Sequence, residues 1–178
     1  MISEEARAKM RTLASRYPSA RSATLPALRV AQEEEGYVTP AGIDAVADAL
    51  GLKPDEVASV VTFYSMFHRQ PVGRHVVKVC TSVSCYLRGC DALLERLESG
   101  LGIRRGETTA DGAVTLLGVE CLASCGTAPV LQLDDEFVEH VNDERADALL
   151  AELRAPRQPG ATPEPAGAGT PTQEGTPA

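Results

Sequence analysis

Five cysteines are the residues of this chain with the most chemistry to offer, and four of them fall into two pairs. The first pair reads Cys80-x4-Cys85, and after 35 intervening residues the second reads Cys121-x3-Cys125. Thiolates are soft ligands. Two separated pairs suit a [2Fe-2S] cluster, in which each tetrahedral iron takes two bridging sulfides and two protein thiolates. The same four sulfurs also fit a structural zinc site, although zinc knuckles are more often C-x2-C. Structural disulfides would need an oxidising compartment, for which the sequence offers no sign. On spacing alone the cluster is favoured and these alternatives stay open. A thioredoxin-type couple wants Cys-x-x-Cys, and none occurs. The plant-type C-x4-C-x2-C run is excluded, because Arg88 stands three residues beyond Cys85. Cys90 falls on the apolar stripe of an expected helix and reads as a packed thiol. His68, His75 and His140 are isolated from one another and read as structural or surface residues, so a Rieske-type ligand set has no support.

Ligand pairs must be brought together by the elements that carry them. His75 to Val79 is a β-branched run and reads as a strand that delivers Cys80. Val114 to Glu120 reads as a second strand that delivers Cys121. Two strand ends lying side by side in one sheet would gather all four sulfurs. Small residues in the two loops (Ser82, Ser84, Ala123, Ser124 and Gly126) let backbone N–H groups approach sulfur, where hydrogen bonds tune a cluster's potential. Tyr86 to Gly100 reads as a helix, Asp111-Gly112 as a hairpin turn, and Asp134-Asp135 as the centre of a second hairpin. Asn142 to Arg154 closes this part as a helix. Strand, helix, strands, helix is an α+β arrangement over residues 71–154.

Residues 1–70 read as a helical bundle. Ser3 caps a first helix that ends at Pro18, and Ser22 opens a second that stops at Gly36. Thr39-Pro40 starts a third, ended by Gly51, and Pro54-Asp55-Glu56 a fourth. Val57, Val60, Val61 and Tyr64 form the apolar stripe of that fourth helix, and Phe63 and Phe67 widen it. The three aromatics pack between the bundle and the second domain, or they anchor a partner. Residues 155–178 hold six of the chain's 12 Pro and no Leu, Ile, Val, Phe, Tyr or Met. Such a segment buries too little to offset its ordering entropy and is expected to be a disordered tail.

Composition limits what this scaffold does. Net charge is -8, so the basic footprint of a nucleic-acid binder is missing. The longest uncharged apolar stretch, Val57 to Phe67, is far short of the ~20 residues a membrane span needs. The start lacks the basic and apolar regions of a secretory signal, and a soluble, intracellular protein is expected. There is no G-x-G-x-x-G fingerprint for a nicotinamide site and no acid–base constellation. If the four thiolates hold an iron–sulfur cluster, the chemistry it offers is electron transfer. One-electron reduction would add charge to a cluster that is already anionic, inside an acidic protein, so a low potential is expected.

Five segments together resemble one family: Thr62-Phe-Tyr-Ser-Met-Phe67, Pro71-Val-Gly73, Val79-Cys80, Cys85-Tyr-Leu-Arg-Gly89, and Glu120-Cys-Leu-Ala-Ser-Cys-Gly-Thr-Ala-Pro-Val130. It is the family of the 24 kDa-type subunit of respiratory complex I, the E-type subunit of bacterial NADH:quinone oxidoreductase. The resemblance spans about residues 5–154. It implies an N-terminal helical bundle followed by a thioredoxin-like domain. That domain would hold one [2Fe-2S] cluster on Cys80, Cys85, Cys121 and Cys125. It further implies a flavoprotein partner subunit on which FMN oxidises NADH and passes an electron to this one. A place in the peripheral arm on the cytoplasmic face of the inner membrane follows, among other peripheral-arm subunits and without direct membrane insertion. The same subunit type serves the diaphorase part of soluble NAD-dependent formate dehydrogenases and hydrogenases, a second reading. A zinc-stabilised interaction module is a third, from another class. Departures from the family are small: Ala123 and Cys90 stand where Gly and Ala are usual, and Asp134-Asp135 replaces a common Asn-Asp.

Overall fold

The computed structural model describes residues 1–154, so the expectation of a disordered tail lies outside the described residues. Helix α1 (Glu4–Ala14) starts where the Ser3 hydroxyl accepts the N–H of Ala6, with Glu4 and Glu5 complementing the helix dipole. A 3-10 turn at Ala20–Ala23 delays α2 (Thr24–Glu35) beyond Ser22, and Gly36 ends it in the left-handed region. Helix α3 (Pro40–Leu50) is capped by the Thr39 hydroxyl, which accepts the N–H of Gly42 at 2.9 Å. In α4 (Pro54–Phe63) the Glu56 carboxylate reaches back to the N–H of Lys53. Met10, Leu28, Val46 and Val57 are fully buried among these four helices. The aromatic residues at the end of α4 separate: Phe67 packs into the bundle's own core, whereas Phe63 is 80% exposed.

The second half builds a mixed sheet. Strand β1 (His75–Cys80) lies between β2 (Val114–Val119), with which it is parallel, and β3 (Leu131–Leu133), with which it is antiparallel. Strand β4 (Glu136–Val138) completes the order β2-β1-β3-β4 and forms the expected hairpin with β3. Parallel neighbours need a crossover, supplied here by helical segments. The sequence suggests one helix there, but the structure has two, α5 (Val83–Leu87) and α6 (Cys90–Leu101). The break is at Gly89, whose φ of 92° only glycine adopts freely. The turn at Asp111-Gly112 forms, yet its first arm makes a single bridge, Thr108 to Thr115. The Thr109 hydroxyl takes the N–H groups of Ala113 and Val114 at 3.0 Å, occupying donors that a longer ladder would use. Helix α7 (Asp143–Arg154), capped by Asn142, packs with α6 on one face of the sheet. Val77, Val79, Leu116 and Leu131 meet Leu94, Leu97, Leu149 and Leu150 there, in a core that shares no residue with that of the bundle. The architecture is α+β, as expected.

Arg29 of the bundle pairs with Asp135 of the second half. Within the bundle the Gln32 side chain fixes the segment that leads across, donating to the Met66 carbonyl at 3.0 Å and accepting the His68 N–H at 2.7 Å. Gly73 passes so close to β2 that a Cβ would stand 2.7 Å from the Val114 carbonyl carbon. The His68 imidazole is half-buried at this seam. Burial, with Lys78 adding to it, holds its pKa below the ordinary 6.5. The unfolded chain therefore takes up a proton near pH 6.5 while the folded one does not. Stability should rise with pH through this window and fall as acid is added, until the folded-state pKa is passed. Urea midpoints at roughly pH 7.5 and 5.5, either side of the unperturbed value, test this. The wild type should lose more stability across that span than His68→Gln, and equal losses would contradict the assignment.

Candidate metal centre

The parallel register of β1 and β2 decides where the cysteines meet. Cys80 stands opposite Val119, so both strands leave the sheet at the same end. Cys121 follows two residues after β2. Thr81 extends the pairing by one step, donating its N–H and its hydroxyl to the Val119 carbonyl at 2.9 and 3.0 Å. From the other side, the Cys80 N–H donates to the Val130 carbonyl at 3.1 Å, which brings in the segment that follows Cys125. Helix α5 then folds Cys85 back beneath Cys80.

The two pairs differ in setting. Cys80 and Cys85 are 2% and 1% exposed, and they share a small apolar cluster with Cys90, Ala128 and Val130. Each thiol influences the ionisation of the other. Burial pushes the Cys80 thiol up, but the Ser82 and Leu122 N–H groups and the Cys85 and Ser82 side chains outweigh it, leaving the group below the ordinary thiol value. Cys85 is pushed up to about 11, by burial first, although an N–H from Val130 opposes this. Cys121 and Cys125 are exposed, with their sulfurs 3.7 Å apart. The Ala123 N–H donates to the Cys121 Sγ at 3.3 Å, from a residue whose φ of 61° turns the loop over the sulfur. The Leu122 N–H on the neighbouring sulfur, Cys80, ties the second loop to the first.

These distances discriminate among chemistries. A disulfide needs sulfurs about 2.0 Å apart, so Cys121 and Cys125 are not bridged. Two thiolates on one tetrahedral ion, each ~2.3 Å from it, stand roughly 3.8 Å apart. The 3.7 Å observed matches that spacing. Among the described residues no three Cys, His, Asp or Glu side chains converge on one metal position. Two cysteine pairs, one on each loop, answer the needs of two irons with two protein ligands each. Backbone N–H groups already aimed at Cys80, Cys85 and Cys121 supply the hydrogen bonds that an anionic iron–sulfur centre requires. The residues fit the group.

Cys90 is fully buried behind the inner pair, where burial first and Asp91 next raise its thiol pKa. His75 lies away from the sulfurs, its Nδ1 2.9 Å from Asp134 Oδ2. Sequence reasoning misses Glu139. Its carboxylate bonds the hydroxyls of Ser124 and Thr127 on either side of Cys125 and its turn. Residues so far apart in the chain carry no local signal of such a contact.

A mixed four-stranded sheet with two cysteine pairs at one end defines a thioredoxin-like iron–sulfur protein. Residues 10–154 match the family model of the thioredoxin-like [2Fe-2S] ferredoxins. A relative from Rhizobium meliloti (strain 1021), the NADH-quinone oxidoreductase E 2 subunit, is 46% identical over 149 residues, 84% of this chain and 89% of that one. The E-type subunit of the Pseudomonas aeruginosa enzyme is 40% identical over 150 residues, covering 84% of this chain and 90% of its own. The Mycobacterium tuberculosis (strain ATCC 25618 / H37Rv) counterpart is 46% identical over 140 residues, but these are only 56% of its length. Among solved structures, an air-oxidized NAD+-reducing [NiFe]-hydrogenase superposes with a TM-score of 0.63 at 22% identity, over 71% of this chain and 22% of that one. This last likeness is one of fold. The chain belongs to the thioredoxin-like [2Fe-2S] ferredoxin family, in the branch formed by the E-type subunits of NADH-quinone oxidoreductase. Its cofactor class is accordingly a [2Fe-2S] cluster. Among the described residues no helix is long and apolar enough to cross a membrane.

Proposed function

We propose that this chain is the electron-transfer subunit of an NADH:quinone oxidoreductase, with Cys80, Cys85, Cys121 and Cys125 as the ligands of one [2Fe-2S] cluster. The observation that carries the assignment is the two-by-two arrangement of the sulfurs at the common end of β1 and β2. When bound, the cluster supplies reversible one-electron storage. The chain's own residues do the rest. Cys80 and Cys85 would hold one iron from a buried, apolar setting, where the Ser82, Leu122 and Val130 N–H groups stabilise thiolate charge. Cys121 and Cys125, which are exposed, would hold the other on the side a redox partner can reach. In this reading residues 1–70 form the bundle and residues 71–154 the cluster domain.

That partner is a flavoprotein subunit carrying FMN and the NADH site, within a peripheral arm on the cytoplasmic face of the inner membrane. Val83, Tyr86 and Leu87 of α5 are 71%, 59% and 77% exposed, beside the buried Cys85. Such an apolar group around an electron-transfer centre supports docking by a partner that must approach closely. Leu87→Glu should abolish co-purification of the flavoprotein subunit and leave the reduced-cluster spectrum unchanged. Retention of the partner would remove α5 from the interface. Identity of 46% along most of the chain favours the quinone-linked enzyme over the soluble hydrogenase-type diaphorase.

Low-temperature EPR of the dithionite-reduced protein, with iron and acid-labile sulfide analysis, tests the cofactor and its ligands. The expected result is a rhombic one-electron signal with equal iron and sulfide. A colourless protein holding zinc would overturn the proposal.

A further inference from the structure

We infer that Glu139 is a positioning residue for the outer cysteine pair: its carboxylate clamps the turn that carries Cys125 and fixes a negative charge beside that turn. The inference rests on the ligand assignment proposed for the four cysteines. The inner pair needs no clamp, since Cys80 and Cys85 are packed with Cys90, Ala128 and Val130. The outer pair lacks that support. Cys125 opens a 3-10 turn, Cys125–Thr127, that contains no buried residue, so hydrophobic packing does not hold it in place.

Polar contacts from one side chain take over. Glu139 Oε1 accepts the Thr127 hydroxyl at 2.9 Å and is also bonded by the Ser124 hydroxyl. The two hydroxyls are themselves 2.7 Å apart, and that of Thr127 also reaches the Ser124 carbonyl at 3.0 Å. Ser124 directly precedes the ligand and Thr127 closes its turn. The backbone aims the carboxylate: His140, at φ 51°, donates its N–H to the Thr127 carbonyl at 2.8 Å, and Val141 donates to that of Pro129 at 3.0 Å. Residues 139–141 therefore run alongside the Cys125 loop. The two hydroxyls, Ser124 first, hold the Glu139 carboxyl below its ordinary pKa, so it stays ionised near neutral pH. A fixed anion near an anionic centre disfavours adding an electron.

Reach and charge are separated by three variants of the cluster-loaded full chain. Glu139→Ala removes both. Glu139→Asp keeps the charge on a stem too short to span both hydroxyls, and Glu139→Gln keeps the acceptor oxygen without the charge. Iron release to a chelator from the oxidised protein should be several-fold faster in Glu139→Ala and Glu139→Asp, and close to wild type in Glu139→Gln. Redox titration followed by EPR should place the Glu139→Gln midpoint above wild type and that of Glu139→Asp near it. Because Glu139 is exposed, far-UV circular dichroism should be unchanged in all three. Wild-type release rates in both Glu139→Ala and Glu139→Asp would overturn the clamp, and an unmoved Glu139→Gln midpoint would overturn the role of the charge. A wild-type chain that takes up no cluster would sink the ligand assignment and the clamp together.

Discussion

Cys121→Ser is expected to abolish the reduced-state EPR signal and most of the visible absorption of the loaded protein. Serine keeps the size of the side chain, but its hydroxyl is a hard, weakly acidic ligand in a site built for thiolates. Cys121 is exposed, so nothing in the apolar core depends on it and the fold should persist without the cluster. That separation makes the result readable: circular dichroism should stay native while iron and sulfide fall away. Cys90→Ala is the matched control. Cys90 lies behind the inner pair and is fully buried, so its loss removes one packed sulfur and leaves the spectrum intact. Loss of signal in Cys90→Ala, with retention in Cys121→Ser, would reverse the ligand assignment.

Phe67→Ala should be the most damaging substitution outside the cysteines. Phe67 is 5% exposed and fills the bundle core, and its N–H donates to the Tyr64 carbonyl at 3.1 Å, fixing the chain as it leaves α4. Truncating a buried phenylalanine costs ~3–5 kcal/mol, a large share of the ~5–15 kcal/mol that holds a typical domain folded. The urea midpoint of the bundle should fall accordingly, and the yield of assembled complex with it. Phe63→Ala, close by in the chain, should leave stability within error because its ring is 80% exposed. An unshifted midpoint in Phe67→Ala would show that the core closes without it.

These two aromatics illustrate which features can be read from a sequence. Periodicity places Phe63, Tyr64 and Phe67 on a widened stripe, but the end of α4 at Phe63 takes Phe67 off the helix and lets it turn into the bundle. Local signals with a mechanical basis are legible: Ser3 and Thr39 cap helices, and Gly36 and Gly51 end them. The cysteine spacing and the runs leading to Cys80 and Cys121 are enough to suggest a shared sheet end, which the parallel register of β1 and β2 provides. The break at Gly89 is illegible because a lone glycine inside an apolar periodic run reads as a tolerated helical residue until its φ is known. The Thr109 hydroxyl shortens an expected hairpin by competing for backbone donors, a choice that tertiary context makes. Glu139 escapes notice for the most general reason: contact between distant segments depends on how the chain folds back, and no spacing encodes it.

The parallel pairing of β1 with β2 also orders events during synthesis. Cys80 and Cys85 leave the ribosome well before Cys121 and Cys125, and their strand cannot acquire its parallel neighbour until the whole crossover has emerged. Parallel pairing is slow because a long loop must close before any contact forms. The bundle, whose core is made of earlier residues alone, can be complete by then. A site that needs all four thiols is consequently complete only after residues through Cys125 have emerged and β2 has paired with β1, when the bundle core is already available to fold.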